Sequence, residues 1–295
     1  MRFLVNSVVL LFLFSATAIY ISGCSTAEQT TGRLAYSQGD YEKAEKEFEK
    51  ETVQNPSNDE AWFYLVMSRL QLNKIDLAAN AMKEFKKVDK GNYKEDIVKM
   101  WEAKFDQGYK TFEKAKSSAS DTTISFKLYK EAIDYFKAAL LLIPDSAFVQ
   151  KNIDVINNKI ATIKVKPLID KGADYIQSGQ YEEAIGLFKQ AESAGLDKES
   201  MAYDVINYNM GLAFLKWGES IREANKETNP DDLSYKEKYK EALPYLEALT
   251  NSKDKSMELS SYELLVQVYG NLNMTEKALD AIKKRDELKQ KNENK

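Results

Sequence analysis

The stretch Gly39-Asp40-Tyr41-Glu42-Lys43-Ala44 returns further along the chain as Gly179-Gln180-Tyr181-Glu182-Glu183-Ala184. In each copy a phenylalanine stands four residues beyond the alanine, at Phe48 and Phe188. A glycine followed by a polar residue ends one helix, and the tyrosine opens the next, so each copy marks a turn between two helices. The four-residue spacing puts the alanine and the ring on one face of the second helix. Small residues at Gly172 and Ala184 let two antiparallel helices approach closely. Large ones at Tyr175 and Phe188 fill the space between that hairpin and its neighbour.

Working outward, the same pattern recurs along the chain. Ala44, Phe48 and Pro56 form the first unit, and Trp62, Leu65, Ala78 and Met82 the second. Ala132, Phe136, Ala139 and Pro144 belong to the third, and Gly172, Tyr175, Ala184, Phe188 and Ala191 to the fourth. Gly211, Phe214, Ala242 and Leu246 give the fifth; Tyr262, Leu265, Tyr269, Ala278 and Ile282 give a looser sixth. Small and aromatic residues in these places, with a closing proline, resemble the tetratricopeptide repeat. The resemblance implies an all-α fold, a right-handed superhelical solenoid of about six hairpins, two of them with extended helices. The array is expected over 32–285, with units near 25–58, 59–92, 94–146, 165–198, 204–252 and 259–285. A lone hairpin cannot bury its apolar face, so stability comes from stacking.

The irregular spacing identifies the two long hairpins. Gly108 is separated from Ala132 by an inserted stretch at 115–122, and Gly211 from Ala242 by one at 219–232. Both read as helices that overrun the usual turn, and Ser234 with Glu237 reads as a capping box for the return helix. Residues 147–164 carry an apolar stripe at Val149, Ile153, Ile156, Ile160 and Ile163. An extra helix packed on the third unit accounts for it; a seam between two copies is the alternative. Pro167 is expected to kink or break the helix. The charged tail 286–295 is expected to fray from a solvated helix end.

The N-terminus carries a different signal. Met1-Arg2 is followed by an apolar run from Phe3 to Ile21, then Ser22-Gly23-Cys24, with the only cysteine of the chain. A charged start, an apolar stretch and small residues before the cysteine resemble a bacterial lipoprotein signal peptide with its lipobox. The resemblance implies cleavage after residue 23 and lipidation of Cys24, with 24–31 as a short linker. Several acyl chains together anchor stably. A plain transmembrane anchor is the alternative reading of the run. Ser25 is not the aspartate associated with inner-membrane retention, so the resemblance points to the periplasmic face of the outer membrane.

Composition limits the chemistry. The 295 residues contain no histidine and carry a net charge of −4, one unit more negative without Arg2. Lysine outnumbers arginine, which occurs only at Arg2, Arg33, Arg69, Arg222 and Arg285, and no basic stripe suits nucleic acid. Without histidine the commonest general base and metal ligand are missing, and a lipidated Cys24 leaves no thiol. No phosphate-cradling glycine loop is present. These features argue against an enzyme, and no cofactor or metal is expected.

In the tetratricopeptide family the first helices line a concave face that binds an extended peptide or a partner helix. The family's carboxylate clamp uses Lys and Asn four residues apart on those helices. Here the corresponding pairs are Gln29 and Arg33, Phe63 and Met67, Phe105 and Tyr109, Ile169 and Ala173, Tyr208 and Leu212, and Glu263 and Gln267. None matches, so clamp function does not carry over. The apolar members Phe63, Met67, Phe105, Tyr109, Tyr208 and Leu212 are either core or a partner-binding patch. The expected role is a membrane-anchored interaction scaffold of the cell envelope that takes a peptide or amphipathic helix of a protein partner. A periplasmic carrier or receptor for a lipid or other hydrophobic ligand is the alternative, favoured if Phe105, Tyr109, Tyr208 and Leu212 line a closed channel.

Overall fold

The computed structural model describes residues 25–229 and 231–293; the expected leader 1–23, the expected lipidation position Cys24 and the last two residues of the tail lie outside the described residues. Among the described residues there are twelve α-helices and no strand. They are α1 (Ala27–Ser37), α2 (Tyr41–Gln54), α3 (Asp59–Gln71), α4 (Ile75–Val88), α5 (Lys94–Ser117) and α6 (Thr122–Leu142). The series continues with α7 (Ala147–Gln177), α8 (Tyr181–Glu192), α9 (Met201–Asn225), α10 (Tyr235–Ala248), α11 (Lys255–Asn271) and α12 (Thr275–Glu293). Two compact units divide them: residues up to Ser117 with Lys130–Asn152, and Ser118–Tyr129 with Ile153 onward. Each is built of tetratricopeptide-like hairpins, and α5 and α9, at 24 and 25 residues, are the extended first helices.

One contact recurs in the hairpins of both units. A Cβ placed on Gly172 would lie 2.5 Å from Phe188 Cε1, and one on Gly32 3.0 Å from the Phe48 ring. Gly108 faces Phe136 at 2.9 Å and Gly211 faces Leu246 at 2.4 Å in the same way. The alanines and large side chains read from the sequence, Ala44 with Phe48 and Ala184 with Phe188, are fully buried. Four of the turns also share a backbone device. Gly39, Asn73, Gly179 and Asn273 adopt φ of 78, 56, 78 and 59°. The next residue donates its N–H to a carbonyl five residues back: Asp40 to Ala35, Lys74 to Arg69 and Met274 to Tyr269 at 2.9 Å, Gln180 to Tyr175 at 2.8 Å. This Schellman geometry satisfies carbonyls that a helix end leaves open, and asparagine tolerates the left-handed residue almost as glycine does.

In the first unit α2 packs on α1 and α3, and α4 on α3. Its core runs from Ala35 through Phe48, Leu65, Leu70 and Phe85 to Leu142. Buried polar groups pin the hairpins together. Arg69 bonds Glu45 at 3.1 Å, Glu49 at 2.6 Å and the Leu77 carbonyl at 3.2 Å, so a desolvated cation is met by two carboxylates. Glu51 is wholly buried and accepts from Thr26, from Asn55 at 2.9 Å and from Asn58 at 2.8 Å. Burial alone would raise its pKa; the three donors outweigh that and hold it below the usual carboxylate range. In the second unit α9 lies against α8 and α10, and α11 against α10 and α12, around Phe188, Ile206, Met210, Leu215 and Tyr239.

Several sequence expectations are corrected. The first helix starts at Ala27, capped by Thr26, whose hydroxyl accepts from the Gln29 N–H at 3.1 Å, so residues 27–31 are helix and not linker. Residues 147–164 are not a separate helix: α7 runs unbroken for 31 residues through Pro167. Pro167 lies on the exposed side, where water can take up the carbonyl that its missing N–H frees. The stripe Val149, Ile153, Ile156 and Ile160 is buried within the chain, as a packed helix requires. Ser234 makes no side-chain cap; Asp232 instead accepts from the Ser234 N–H at 2.8 Å and from Asn225 at 2.5 Å. The tail is helical through Glu293.

Lys104, on α5, is buried without a carboxylate. Its ammonium donates to Gln71 Oε1 at 3.2 Å and lies 5.7 Å from the Tyr135 ring centre, and burial lowers its pKa. The folded chain therefore holds this proton less firmly than the unfolded chain, and stability rises with pH up to the ordinary lysine range.

In urea denaturation Gly172→Ala lowers stability by about 1–3 kcal/mol through overpacking. Gly186→Ala, in α8 where a new Cβ meets nothing within 4 Å, raises it by about 0.5–1 kcal/mol. Lys104→Met stabilises the chain by about 1–2 kcal/mol at neutral pH, and the gain shrinks as the measurement approaches about pH 10.

Candidate functional site

Stacking places the first helices α1, α3 and α5 of the first unit side by side, and a cavity of about 310 Å³ opens on the side chains they share. Tyr36 comes from the end of α1. From α3 come Tyr64, Met67 and Gln71, a stripe at helical spacing, with Phe63 beside it. The third wall is Asp96, Lys99, Met100 and Ala103 on the first turns of α5, again one helical face. The second helices supply none of the lining; their rings are committed to the hairpin contacts.

The walls are aromatic and ordered by one another. Tyr36 meets Tyr64 edge-on at 5.1 Å, Tyr64 stacks on Phe48 at 5.2 Å, and Phe63 stacks on Tyr93 at 4.2 Å. Such ring pairs hold their partners in place beyond the area they bury. Burial, with Tyr41 and Tyr64 nearby, pushes the Tyr36 hydroxyl up to about 12, so it stays protonated and able to donate. Burial also raises Tyr64, with Glu60 adding to it. Gln71 is held at the groove wall by Lys104 on its carbonyl oxygen, and its amide nitrogen lies 3.9 Å from Met100 Sδ. Gln71 also makes a side-chain hydrogen bond to the Tyr36 hydroxyl across the groove, which works against the rise in the Tyr36 pKa. Asp96 and Lys99 put both charge signs at the rim, and Lys99 is largely exposed. At the start of α3, Glu60 accepts from Arg33 and, at 2.6 Å, from Gln29, tying α1 to α3.

The six residues named from sequence separate. Phe63 and Met67 are only 4% and 1% exposed: they are core side chains that floor the groove, not a free surface patch. Phe105 is half-buried, between Trp101 at 5.6 Å and Tyr109 at 6.4 Å, and packs on Phe136 and Phe148. Tyr109, at 46% exposed, is the open end of that row. Tyr208 and Leu212 lie in the second unit, half-buried against its core. Tyr36, Tyr64, Gln71, Asp96, Lys99, Met100 and Ala103 line the groove without having been named from sequence. The i, i+7 pairs Tyr64 with Gln71 and Asp96 with Ala103 were a readable signal for two of the walls. Among the described residues no cluster of His, Cys, Asp or Glu is placed to hold a metal, and no helix is long and apolar enough to cross a membrane.

A groove lined by the first helices of stacked hairpins agrees with what the chain is similar to. No curated protein matches this chain. Residues 30–92, the hairpins α1–α2 and α3–α4 that supply two of the three groove walls, match the tetratricopeptide repeat family.

Proposed function

We propose that this chain is a non-catalytic interaction scaffold that holds a segment of a protein partner in the groove of its first unit. Tetratricopeptide repeats typically bind protein partners, and the groove between α1, α3 and α5 is the observation that carries the reading. Its chemistry suits a peptide. Rings of Tyr36 and Tyr64 and the thioether of Met100 offer an apolar seat, while the Gln71 amide and the mixed charges of Asp96 and Lys99 can meet backbone and polar side chains. An acyl chain would leave those polar groups unpaired, which disfavours the lipid-carrier alternative.

The proposal places the chain in a bacterial envelope, held by lipid on Cys24 and facing the periplasm from the outer membrane. The support is the run Ile21-Ser22-Gly23-Cys24 after an apolar segment, with Ser25 following. Because Thr26 already caps α1, lipid on Cys24 would keep the start of α1 within roughly 7 Å of the lipidated residue. The groove would then present its partner close to the membrane.

The test joins both parts. In host cells, p-benzoylphenylalanine at Lys99 should give a discrete photocrosslinked product, and the same probe at Lys43, exposed on α2, should not. Ala103→Arg, which fills the groove from an exposed position, should abolish the Lys99 product without changing the thermal midpoint. Cys24→Ser should release the chain from the membrane fraction. Equal crosslinking from Lys43 and Lys99 would remove the groove from the account; unchanged fractionation of Cys24→Ser would remove the anchor.

A further inference from the structure

We propose that the second unit carries a separate recess, between the end of α10 and the helices α11 and α12, that takes the cationic side chain of a basic peptide segment, arginine above all. The cavity measures about 500 Å³. Tyr262 and Tyr269, two turns apart on α11, form its aromatic wall, and Glu247, Glu276 and Asp280 bring carboxylates to it from α10 and α12. Leu265 and Ala281 are buried beneath them, so the recess has an apolar base and an acidic rim.

The recess already accommodates one cation. The Lys277 ammonium lies 5.3 Å from the Tyr269 ring centre and donates to Glu247 Oε1 at 3.1 Å, where the Tyr269 hydroxyl also donates at 2.7 Å. Burial works against the Glu247 charge, yet these two donors hold its carboxyl below the usual range, so it stays ionised. The lining then carries three carboxylates against one ammonium, and Glu276 and Asp280 form no ion pair among the described residues. The acidic groups are not gathered to hold a metal. They surround tyrosine rings, the arrangement that suits a flat cation on an apolar stem. A guanidinium can lie flat over a ring while its fork donates two parallel bonds to a carboxylate, whereas the Lys277 ammonium meets Glu247 as a single point donor. Charge complementarity, the aromatic wall and the chain's own seated lysine therefore point to one occupant, an arginine-bearing peptide. Nothing in this inference depends on the groove of the first unit.

The test uses the full-length chain in detergent and a fluorescein-labelled peptide of three Gly-Ser-Arg repeats, followed by anisotropy. A Gly-Ser-Gln peptide and spermine serve as comparisons. Saturable binding of the arginine peptide is expected, with none of the glutamine peptide. Glu276→Gln with Asp280→Asn should weaken it at least about tenfold. Tyr262→Leu keeps charge and packing while removing the ring face, and should weaken it about fivefold. Lys277→Met, an exposed position, should strengthen it severalfold by vacating the seat; if Tyr262→Leu fails to fold, this gain decides. Binding that ignores Tyr262→Leu in a folded variant would show a diffuse acidic surface and overturn the proposal. So would spermine displacing the peptide at equal or lower concentration, or no gain from Lys277→Met.

Discussion

The fold rests on close approach of two helices at a residue without a side chain. At Gly172 the Phe188 ring occupies the volume that a Cβ would claim, and Gly32 with Phe48 and Gly108 with Phe136 repeat the arrangement. A ring seated on bare backbone makes many dispersion contacts at optimal distance, and truncating it leaves a void that the surrounding helices only partly close. Because the contact is made within a hairpin, in four of them, it sets the inter-helix spacing there before any neighbour arrives. What remains exposed is an apolar flank that only the next hairpin can cover.

That division of labour produces the groove. The rings of the second helices point into their own hairpins, which leaves the first helices to face one another across α1, α3 and α5. Tyr36 and Tyr64 meet edge-on there, and Phe63 and Met67 sink below them as floor. Polar networks then fix the register. Glu60 ties α1 to α3, Arg69 ties α3 to α2, and Glu51 joins the first cap at Thr26 to the second and third helices. Each network satisfies a desolvated charge with more than one partner, so its geometry is specified as well as its energy.

The hairpin contact was legible in the sequence because it is local: Ala44 with Phe48 and Ala184 with Phe188 lie one turn apart, and the turn glycines precede them at fixed distance. Asn73 and Asn273 do the same work as Gly39 and Gly179, but asparagine is common elsewhere and gave no such signal. Pro167 misled because its cost depends on which side of the helix it faces, and it faces solvent. Ser234 misled because Asp232 takes the Ser234 N–H that the Glu237 side chain of a capping box would need, and the Glu237 N–H bonds the Ser234 carbonyl. The groove was only half readable. Phe63 and Met67 were found by their spacing, but whether a first-helix residue ends as floor or wall depends on three hairpins at once. Lys104 shows the limit most clearly: nothing in its neighbours along the chain tells that Gln71, far away in sequence, will bury its ammonium.

The central claim is that the glycine and the ring act as one unit. The direct measurement is a double-mutant cycle on Gly172→Ala and Phe188→Leu, with stability read by urea denaturation of the two single variants, the double variant and the parent. The account predicts that Phe188→Leu makes room for the added methyl, so the double variant is more stable than the sum of the single effects by roughly 1 kcal/mol or more. Strictly additive losses would contradict it, since the two positions would then contribute to stability without being in contact.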